Sequence, residues 1–160
     1  SGAIAIALAS ENPVINITAT DINDNVIEIA RKNANLYKIN NIKFIKSDWF
    51  SNLEEIDYDL IISNPPYVAS NDTNLKNHDV KFEPELALIS GNDGLDDLQK
   101  IIRESGNYIK NHGWLITEHA YNQGMEVRKL FLDNGFSSTT IKDYNKMERV
   151  TFGKLLRKNG

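Results

Sequence analysis

The segment Asn64-Pro65-Pro66-Tyr67 carries the clearest chemical signal in the 160-residue sequence. Proline has no N–H and a fixed φ, so two prolines after an asparagine stiffen the chain and leave backbone carbonyl oxygens as acceptors. The Asn64 side chain offers a further carbonyl oxygen, and together these oxygens can accept both protons of a planar –NH₂ group. Tyr67 supplies a flat face for a planar amide or base. The alternative is that Asn-Pro-Pro forms only a turn.

Three other positions could bind a nucleoside-like ligand. Asp21 ends a predicted strand, where an acid typically hydrogen-bonds ribose hydroxyls, although it could instead cap a helix. Asp48 can accept an exocyclic amine and Trp49 can pack on an adenine ring, or the two can be a turn residue and a core residue. If Gly2 closes a glycine-rich loop, the backbone there can approach a ligand beside a helix N-terminus.

Helix and strand patterns alternate along the chain and would place these residues at strand ends. The predicted helices cover residues 3–10, 24–37, 95–110 and 122–134, and the predicted strands cover residues 15–21, 42–45, 58–63, 114–118, 136–144 and 149–156. This alternation implies an α/β layered domain with a mostly parallel sheet and a terminal antiparallel pair. Ligands of such sheets bind beyond the carboxyl ends of the strands, here at Asp21, Asp48, Asn64 and Glu118.

Local signals refine these elements. The nearly unbroken apolar run 58–63 is typical of a strand buried on both faces. Asp24 can cap the second helix, Asn111-His112-Gly113 is expected to end the third, and Gly135 is expected to close the fourth. The segment 64–94 holds three of the four prolines, and so long an irregular loop is usually functional or mobile.

Composition excludes several classes of protein. There is no cysteine, which excludes disulfide scaffolds, thiolate zinc sites and cysteine nucleophiles, and three scattered histidines argue against a histidine-built metal site. No apolar run reaches the ~18 residues of a membrane span, so a soluble, cytoplasmic protein without membrane contact is expected. The net charge of −4 disfavours nucleic acid as a partner.

With these motifs in place, the sequence resembles the class I S-adenosylmethionine-dependent methyltransferases. Within them it is similar to the PrmC/HemK family of release-factor glutamine methyltransferases, over essentially the whole chain. The Asn-Pro-Pro-Tyr motif is shared with adenine and guanine amino methyltransferases, whereas the Phe-Glu-Pro and Glu-Arg-Val-Thr segments are specific to the glutamine family. The matching segments are Ser1-Gly2-Ala3-Ile4-Ala5-Ile6-Ala7-Leu8-Ala9, Ser47-Asp48-Trp49-Phe50, Ser63-Asn64-Pro65-Pro66-Tyr67-Val68, Phe82-Glu83-Pro84, Ala87-Leu88, Gly91, Gly94, Glu118-His119 and Glu148-Arg149-Val150-Thr151.

The resemblance implies a fold and a domain organisation. The implied fold is the Rossmann-like three-layer α/β sandwich of class I methyltransferases, with a mostly parallel sheet and a carboxy-terminal antiparallel hairpin. Residues 1–160 would be the catalytic domain. Because the match starts in the middle of the glycine-rich motif, we expect a fragment that lacks the family's first strand and its helical amino-terminal domain.

The resemblance also implies an activity and a set of site residues. The activity is methyl transfer from S-adenosylmethionine, leaving S-adenosylhomocysteine, to the side-chain amide nitrogen of the glutamine in the Gly-Gly-Gln motif of a peptide-chain release factor. The implied catalytic residues are Asn64, Pro65 and Tyr67. The implied substrate-binding residues are Asn64, Pro65, Pro66, Tyr67, Phe82 and Glu83. The implied cofactor-binding residues are Gly2, Asp21, Ile22, Asp48, Trp49 and Asn64.

Two other functions fit the same residues. One is an amino methyltransferase acting on an exocyclic amine of DNA adenine or rRNA guanine, with Tyr67 stacking on a flipped base. The other is a non-catalytic fragment that only binds a partner. Glu118-His119 could equally be a strand end satisfied by local hydrogen bonds, and Glu148-Arg149 could be an ordinary hairpin ion pair.

Overall fold

The computed structural model describes residues 1–54, 56–71 and 87–156. The chain divides into two compact units, one spanning Ser1–Glu54 and the other spanning the rest. Among these residues each unit has its own hydrogen-bonded sheet, of two strands in the first unit and four in the second. In the described part of the chain, no helix is both long enough and apolar enough to span a membrane.

The first unit contains two helices and a parallel strand pair. The elements in chain order are α1 (Ala3–Glu11), β1 (Ile17–Asp21), α2 (Asp24–Leu36) and β2 (Ile42–Lys46). In the β1–β2 pair, Ile17 lies opposite Ile42 and Asp21 lies opposite Lys46. The helices bury small or branched side chains, namely Ala5, Ala9, Ile27, Ala30 and Ala34.

The cap of α2 differs from the prediction. Asn23, not Asp24, is the capping residue, and its side chain accepts a hydrogen bond from the Asn25 N–H at 2.9 Å. The reason lies just before the helix, since Asp21 Oδ1 accepts the Asn23 N–H at 2.9 Å and holds Asn23 in the capping position. Asp24 is instead the first helical residue and forms an exposed ion pair with Lys46.

The second unit is an α/β layer with a mixed sheet. The elements in chain order are β3 (Tyr58–Ser63), α3 (Asp96–Tyr108), β4 (Ile109–Glu118), α4 (Gly124–Asp133), β5 (Thr139–Lys142) and β6 (Glu148–Lys154). The strand order is β3-β4-β6-β5. The β3–β4 pair is parallel, and β6 runs antiparallel to both β4 and β5, which confirms the predicted terminal hairpin.

Apolar side chains of α3, α4 and one face of the sheet form the core of this unit. The edge-to-face packing of the Phe131 and Phe136 rings, with centroids 5.7 Å apart, is a favourable aromatic geometry. The core residues, each at most 1% exposed, are Leu98, Ile101, Ile102, Ile109, Leu115, Val127, Phe131, Phe136 and Leu155.

Two sequence predictions about this unit are wrong in detail. β3 is not buried on both faces: Leu60 is 42% exposed, and within the described residues the strand pairs with β4 alone. The helix predicted to reach residue 110 ends at Tyr108, and β4 begins at the fully buried Ile109. Gly113 therefore lies inside a strand, where a side chain would stand 3.1 Å from the Asp59 carbonyl oxygen of β3.

Candidate functional site

The Asn-Pro-Pro-Tyr segment begins directly after β3, as the sequence predicts. Asn64 is exposed, Pro65 is buried, and Pro66 and Tyr67 are half-buried. Because β3 and β4 are parallel neighbours, with Ser63 opposite Thr117, the chain leaves both strands at the same edge of the sheet. The Asn64 side chain is thus presented to solvent at the position where α/β sheets bind ligands.

The Tyr67 side chain is fixed by the last residue of β4. The Tyr67 hydroxyl donates a hydrogen bond to Glu118 Oε1 at 3.1 Å. Burial, together with the negative charge of Glu118 and this hydrogen bond, raises the pKa of Tyr67 above its ordinary value. The hydroxyl therefore stays protonated near neutral pH and remains a donor, so the ring is held in one orientation. Glu118 acts here as a support for Tyr67.

The backbone after Tyr67 is anchored to the segment before α3. Val68 donates its N–H to the Leu88 carbonyl at 2.8 Å, and the Ser90 N–H returns to the Val68 carbonyl at 3.0 Å. Ser70 donates its N–H to the Gly91 carbonyl at 2.9 Å. The residues that follow Tyr67 therefore pair with residues 88–91 through backbone hydrogen bonds, as in a short strand.

Gln123 is a buried polar residue that no sequence motif singles out. Its side-chain Nε2 lies 3.1 Å from the Tyr67 carbonyl oxygen, 3.2 Å from that of Asp93 and 3.3 Å from that of Gly94. Its Oε1 accepts the Ala120 N–H at 2.9 Å. The acceptors come from segments far apart in the chain, so no local pattern in the sequence points to this residue.

A series of hydrogen bonds links Arg128 to the buried His119, and the donor and acceptor of each bond can be assigned. The Ala120 carbonyl oxygen can only accept, so His119 Nδ1, 2.8 Å away, carries the proton and Nε2 of the neutral ring is an acceptor. Thr151 must then donate to Nε2 at 2.9 Å, and Thr140 must donate to Thr151 at 2.7 Å. Arg128 completes the chain by donating to Thr140 at 3.0 Å. His119 is therefore a structural residue in one tautomer.

Acid is expected to destabilise the protein through His119. Burial, with smaller contributions from the Arg149 and Arg128 charges, lowers the pKa of His119 despite the opposing effects of Glu148 and its own hydrogen bond to Ala120. Below the unfolded-state pKa of about 6.5, the unfolded chain binds a proton more readily than the folded one, so folding stability falls as pH falls. Thermal unfolding of wild type and His119→Gln, measured at several pH values, should show a smaller acid loss in the variant. Equal losses in the two proteins would contradict this prediction.

Glu148 and Arg149 do not pair with each other. Arg128 Nη1 contacts both Glu148 carboxylate oxygens at 3.0 Å, which ties α4 to β6. Arg149 donates to Asp143 Oδ2 at 3.2 Å and to the His119 carbonyl at 3.4 Å. Arg149 therefore forms an ion pair within the β5–β6 hairpin, as the hairpin interpretation predicts, whereas Glu148 ties the hairpin to α4.

The predicted cofactor residues of the first unit lie at strand and helix ends. The Ser47 N–H donates to the Asp21 carbonyl at 2.9 Å, so the chain leaving β2 toward Asp48 and Trp49 lies beside the end of β1. Asp21 is half-buried, and its Oδ1 accepts the Asn23 N–H; among the described residues no hydrogen bond occupies Oδ2, which could bind a ligand hydroxyl. Trp49 is half-buried at φ +52°, in the left-handed region that few non-glycine residues adopt.

Gly2 directly precedes α1 and has φ +74°, a conformation in which glycine is favoured. A Cβ at this position would lie 2.9 Å from the Ala30 Cβ, so the absence of a side chain lets the start of α1 pack closely on α2. No side chain caps the N-terminus of α1. A carboxylate, an indole and an uncapped helix start suit a nucleoside-bearing cofactor, so the residues present fit S-adenosylmethionine.

The predicted site residues thus fall into two groups. Gly2, Asp21, Asp48 and Trp49 belong to the first unit, together with Ile22, which is 62% exposed. Asn64, Pro65, Pro66 and Tyr67 form one segment of the second unit. Phe82 and Glu83, predicted to bind substrate, lie outside the described residues.

Two curated proteins similar to this chain carry the same name. The release factor glutamine methyltransferase of Aliivibrio fischeri is 40% identical over 156 residues, which are 96% of this chain and 55% of that protein. The protein of that name from Escherichia coli K12 is 41% identical over 155 residues, covering 96% of this chain and 56% of that protein. The chain therefore spans about 55% of the length of these relatives.

Two solved methyltransferase structures share the fold of this chain. A methyltransferase from Pyrococcus furiosus superposes with a TM-score of 0.69 at 17% identity, over 95% of this chain and 68% of that chain. A ribosomal protein L11 methylase from Lactobacillus delbrueckii subsp. bulgaricus superposes with a TM-score of 0.67 at 20% identity, over 99% of this chain and 65% of that chain. At these identities the likeness concerns the fold alone, and it confirms the class I methyltransferase fold predicted from the sequence.

A family model described as the methyltransferase small domain matches residues 1–81. This match takes in α1, β1, α2, β2 and β3, together with the Asn-Pro-Pro-Tyr segment. Since the match extends over half of the sequence, the chain belongs to the methyltransferase small domain family.

Proposed function

We propose that this protein transfers a methyl group from S-adenosylmethionine to the side-chain amide nitrogen of the glutamine in the Gly-Gly-Gln motif of a peptide-chain release factor. The observation that carries the proposal is the exposed Asn64 side chain directly after β3, followed by a rigid Pro-Pro pair and a fixed tyrosine ring. The 40% identity to a release factor glutamine methyltransferase supports the choice of substrate.

The second unit would orient the substrate amide. A glutamine amide nitrogen is a poor nucleophile because its lone pair is delocalised into the carbonyl group. Asn64 Oδ1 and the Pro65 carbonyl oxygen would accept its two protons, which fixes the direction of the nitrogen and stabilises positive charge that develops on it. Tyr67 would pack against the amide plane, in the orientation set by Glu118. No general base is needed, because the methylated amide cation is strongly acidic.

The first unit would hold the cofactor. S-adenosylmethionine, when bound, supplies an electrophilic methyl group and leaves as S-adenosylhomocysteine. Asp21 would accept hydrogen bonds from ribose hydroxyls and Asp48 one from the adenine amine, while Trp49 would pack on the adenine ring. Gly2 and Ile22 would contact the cofactor through the backbone.

The proposal also covers the extent of the catalytic domain, the side that binds the release factor and the place of action. Residues 1–160 would act as the methyltransferase catalytic domain. Phe82 and Glu83 would shape the side on which the release factor binds. Because release factors act at the ribosome, the protein would work in the cytoplasm with a protein substrate rather than a nucleic acid.

The test is mass spectrometry of a release factor incubated with S-adenosylmethionine and the natural protein that carries this chain. The expected result is the mass of one methyl group on the peptide containing Gly-Gly-Gln, and no change in a release factor whose motif glutamine is replaced by asparagine. DNA and rRNA incubated in parallel should stay unmodified. An unmodified release factor together with a methylated base would overturn the proposal and favour the amino methyltransferase alternative.

A further inference from the structure

We propose that Gln123 is a positioning residue that holds the Asn64–Tyr67 segment in its active path by binding the Tyr67 backbone. The inference rests on the proposed function, in which this segment binds the substrate amide. Gln123 precedes α4 and is 7% exposed. A buried amide must satisfy both of its ends, so the partners of Gln123 define what it does.

The orientation of the Gln123 amide is fixed by its acceptor atom. Oε1 accepts the Ala120 N–H at 2.9 Å, and a flipped amide would direct this oxygen at carbonyl oxygens instead. Nε2 is therefore the atom that faces the carbonyl oxygens of Tyr67, Asp93 and Gly94. The two N–H groups of this amide are shared among three acceptors from two segments, so the amide joins those segments together.

Gly94 shows how closely the two segments approach. Its φ is +78°, and a Cβ placed on it would lie 2.3 Å from the Tyr67 carbonyl oxygen and 2.7 Å from Gln123 Nε2. Three carbonyl oxygens converge here on one partly buried point and would repel one another without a shared donor. Gln123 supplies that donor, so the path of the chain at Tyr67 depends on it.

Tyr67 is consequently held at two points. Gln123 binds its backbone oxygen and Glu118 binds its hydroxyl at 3.1 Å. The Pro65-Pro66 pair transmits a fixed position at Tyr67 back to Asn64, because proline removes one backbone rotation at each residue. A displacement at Tyr67 would therefore move the acceptors proposed for the substrate, and a misplacement of about 1 Å can lower a rate about a hundredfold.

The experiment compares Gln123→Glu with Gln99→Glu in the natural protein that carries this chain. Gln99 is exposed on α3, so the control makes the same chemical change away from the segment. The carboxylate that Gln123→Glu introduces can only accept and would face three carbonyl oxygens, whereas its protonated form regains a donor. The expected result is a kcat at least about tenfold lower at about pH 8, with the KM for S-adenosylmethionine unchanged, and partial recovery toward about pH 6.

Hydrogen exchange of the unliganded protein gives a readout that does not depend on activity. The amides of Val68 and Ser70 should exchange faster in Gln123→Glu than in Gln99→Glu at about pH 8, and the difference should shrink at about pH 6. The ionisable groups around Gln123 are unchanged in both variants, so the comparison cancels their titration. These groups are Asp93, Glu118, His119, Arg128 and Glu148.

Gln123→Met keeps the test decisive if the buried carboxylate prevents folding. It has a similar length and no charge, and it should show the same loss of kcat and of protection without recovery at lower pH. Exchange and kcat equal to those of the control would overturn the proposal, as would faster exchange spread evenly over the whole chain. If wild type transfers no methyl group but the local exchange effect is present, the proposed function fails while the contact between Gln123 and the segment stands.

Discussion

Asn64→Ala is expected to lower kcat for methyl transfer by about 10²–10³-fold, the effect of deleting one aimed polar group in an active site. The change removes the side-chain oxygen that would accept an amide proton of the substrate. It leaves the Pro65 carbonyl in place and removes no other described support of the segment, since Tyr67 keeps its bonds to Glu118 and Gln123. Initial rates on a release factor, with calorimetry of S-adenosylmethionine binding, measure both effects.

The control for this change is Asn107→Ala. Asn107 is exposed on α3, so the same change of side chain should leave kcat close to that of wild type. Cofactor affinity should stay near normal in Asn64→Ala, because its main effect is on the acceptor amide. A parallel loss of cofactor binding and turnover would show that Asn64 serves the cofactor and not the substrate.

Gly94→Ala is expected to have the largest combined effect on stability and activity. A non-glycine residue at φ +78° is strained, and the new Cβ would meet the Tyr67 carbonyl oxygen at 2.3 Å. Backbone, unlike a flexible side chain, cannot turn away, so the segment carrying Tyr67 must shift. We expect the free energy of unfolding to fall by about 2 kcal/mol or more and kcat to fall at least about tenfold.

Gly106→Ala is the matched control for Gly94→Ala. Gly106 lies within α3, and a Cβ there would meet nothing within 4 Å. Alanine in a helix interior should raise the free energy of unfolding by about 0.5–1 kcal/mol. Denaturant unfolding of both variants checks the pair, and equal stabilities would refute the close approach at Gly94.

The strands and the segment bearing Asn64 could be predicted because their signals are local. β3 is a short, mainly apolar run followed by Asn64 and two prolines, and the structure ends the strand at Ser63 as predicted. The end of α3 could not be predicted in this way. Asn111-His112-Gly113 has the composition of a helix stop, yet Ile109 is already buried in a strand paired with Tyr58. Such pairing joins residues distant in the chain, which no local pattern reports.

The residues of the candidate site also differ in whether a local sequence signal identifies them. Asn64 and Tyr67 are predictable because proline chemistry and position after a strand identify them. Gln123 is not, because its importance comes from three carbonyl oxygens that meet only after folding. The burial of Leu60 could not be predicted either, because the type of an apolar residue does not indicate how many neighbours its strand has in the sheet.

The bond from Gln123 to Tyr67 has a consequence for how this site can diverge. Gln123 donates a hydrogen bond to the backbone carbonyl oxygen of residue 67. Every amino acid has this atom, so the bond does not depend on which side chain occupies position 67. In the proposed function, the side chain that contacts the substrate is at position 67, whereas the residues that position the backbone there are Gly94 and Gln123. A substitution at position 67 is therefore expected to keep the bond from Gln123, although it removes the bond to Glu118, whereas a substitution at Gly94 or Gln123 disturbs the backbone contact itself.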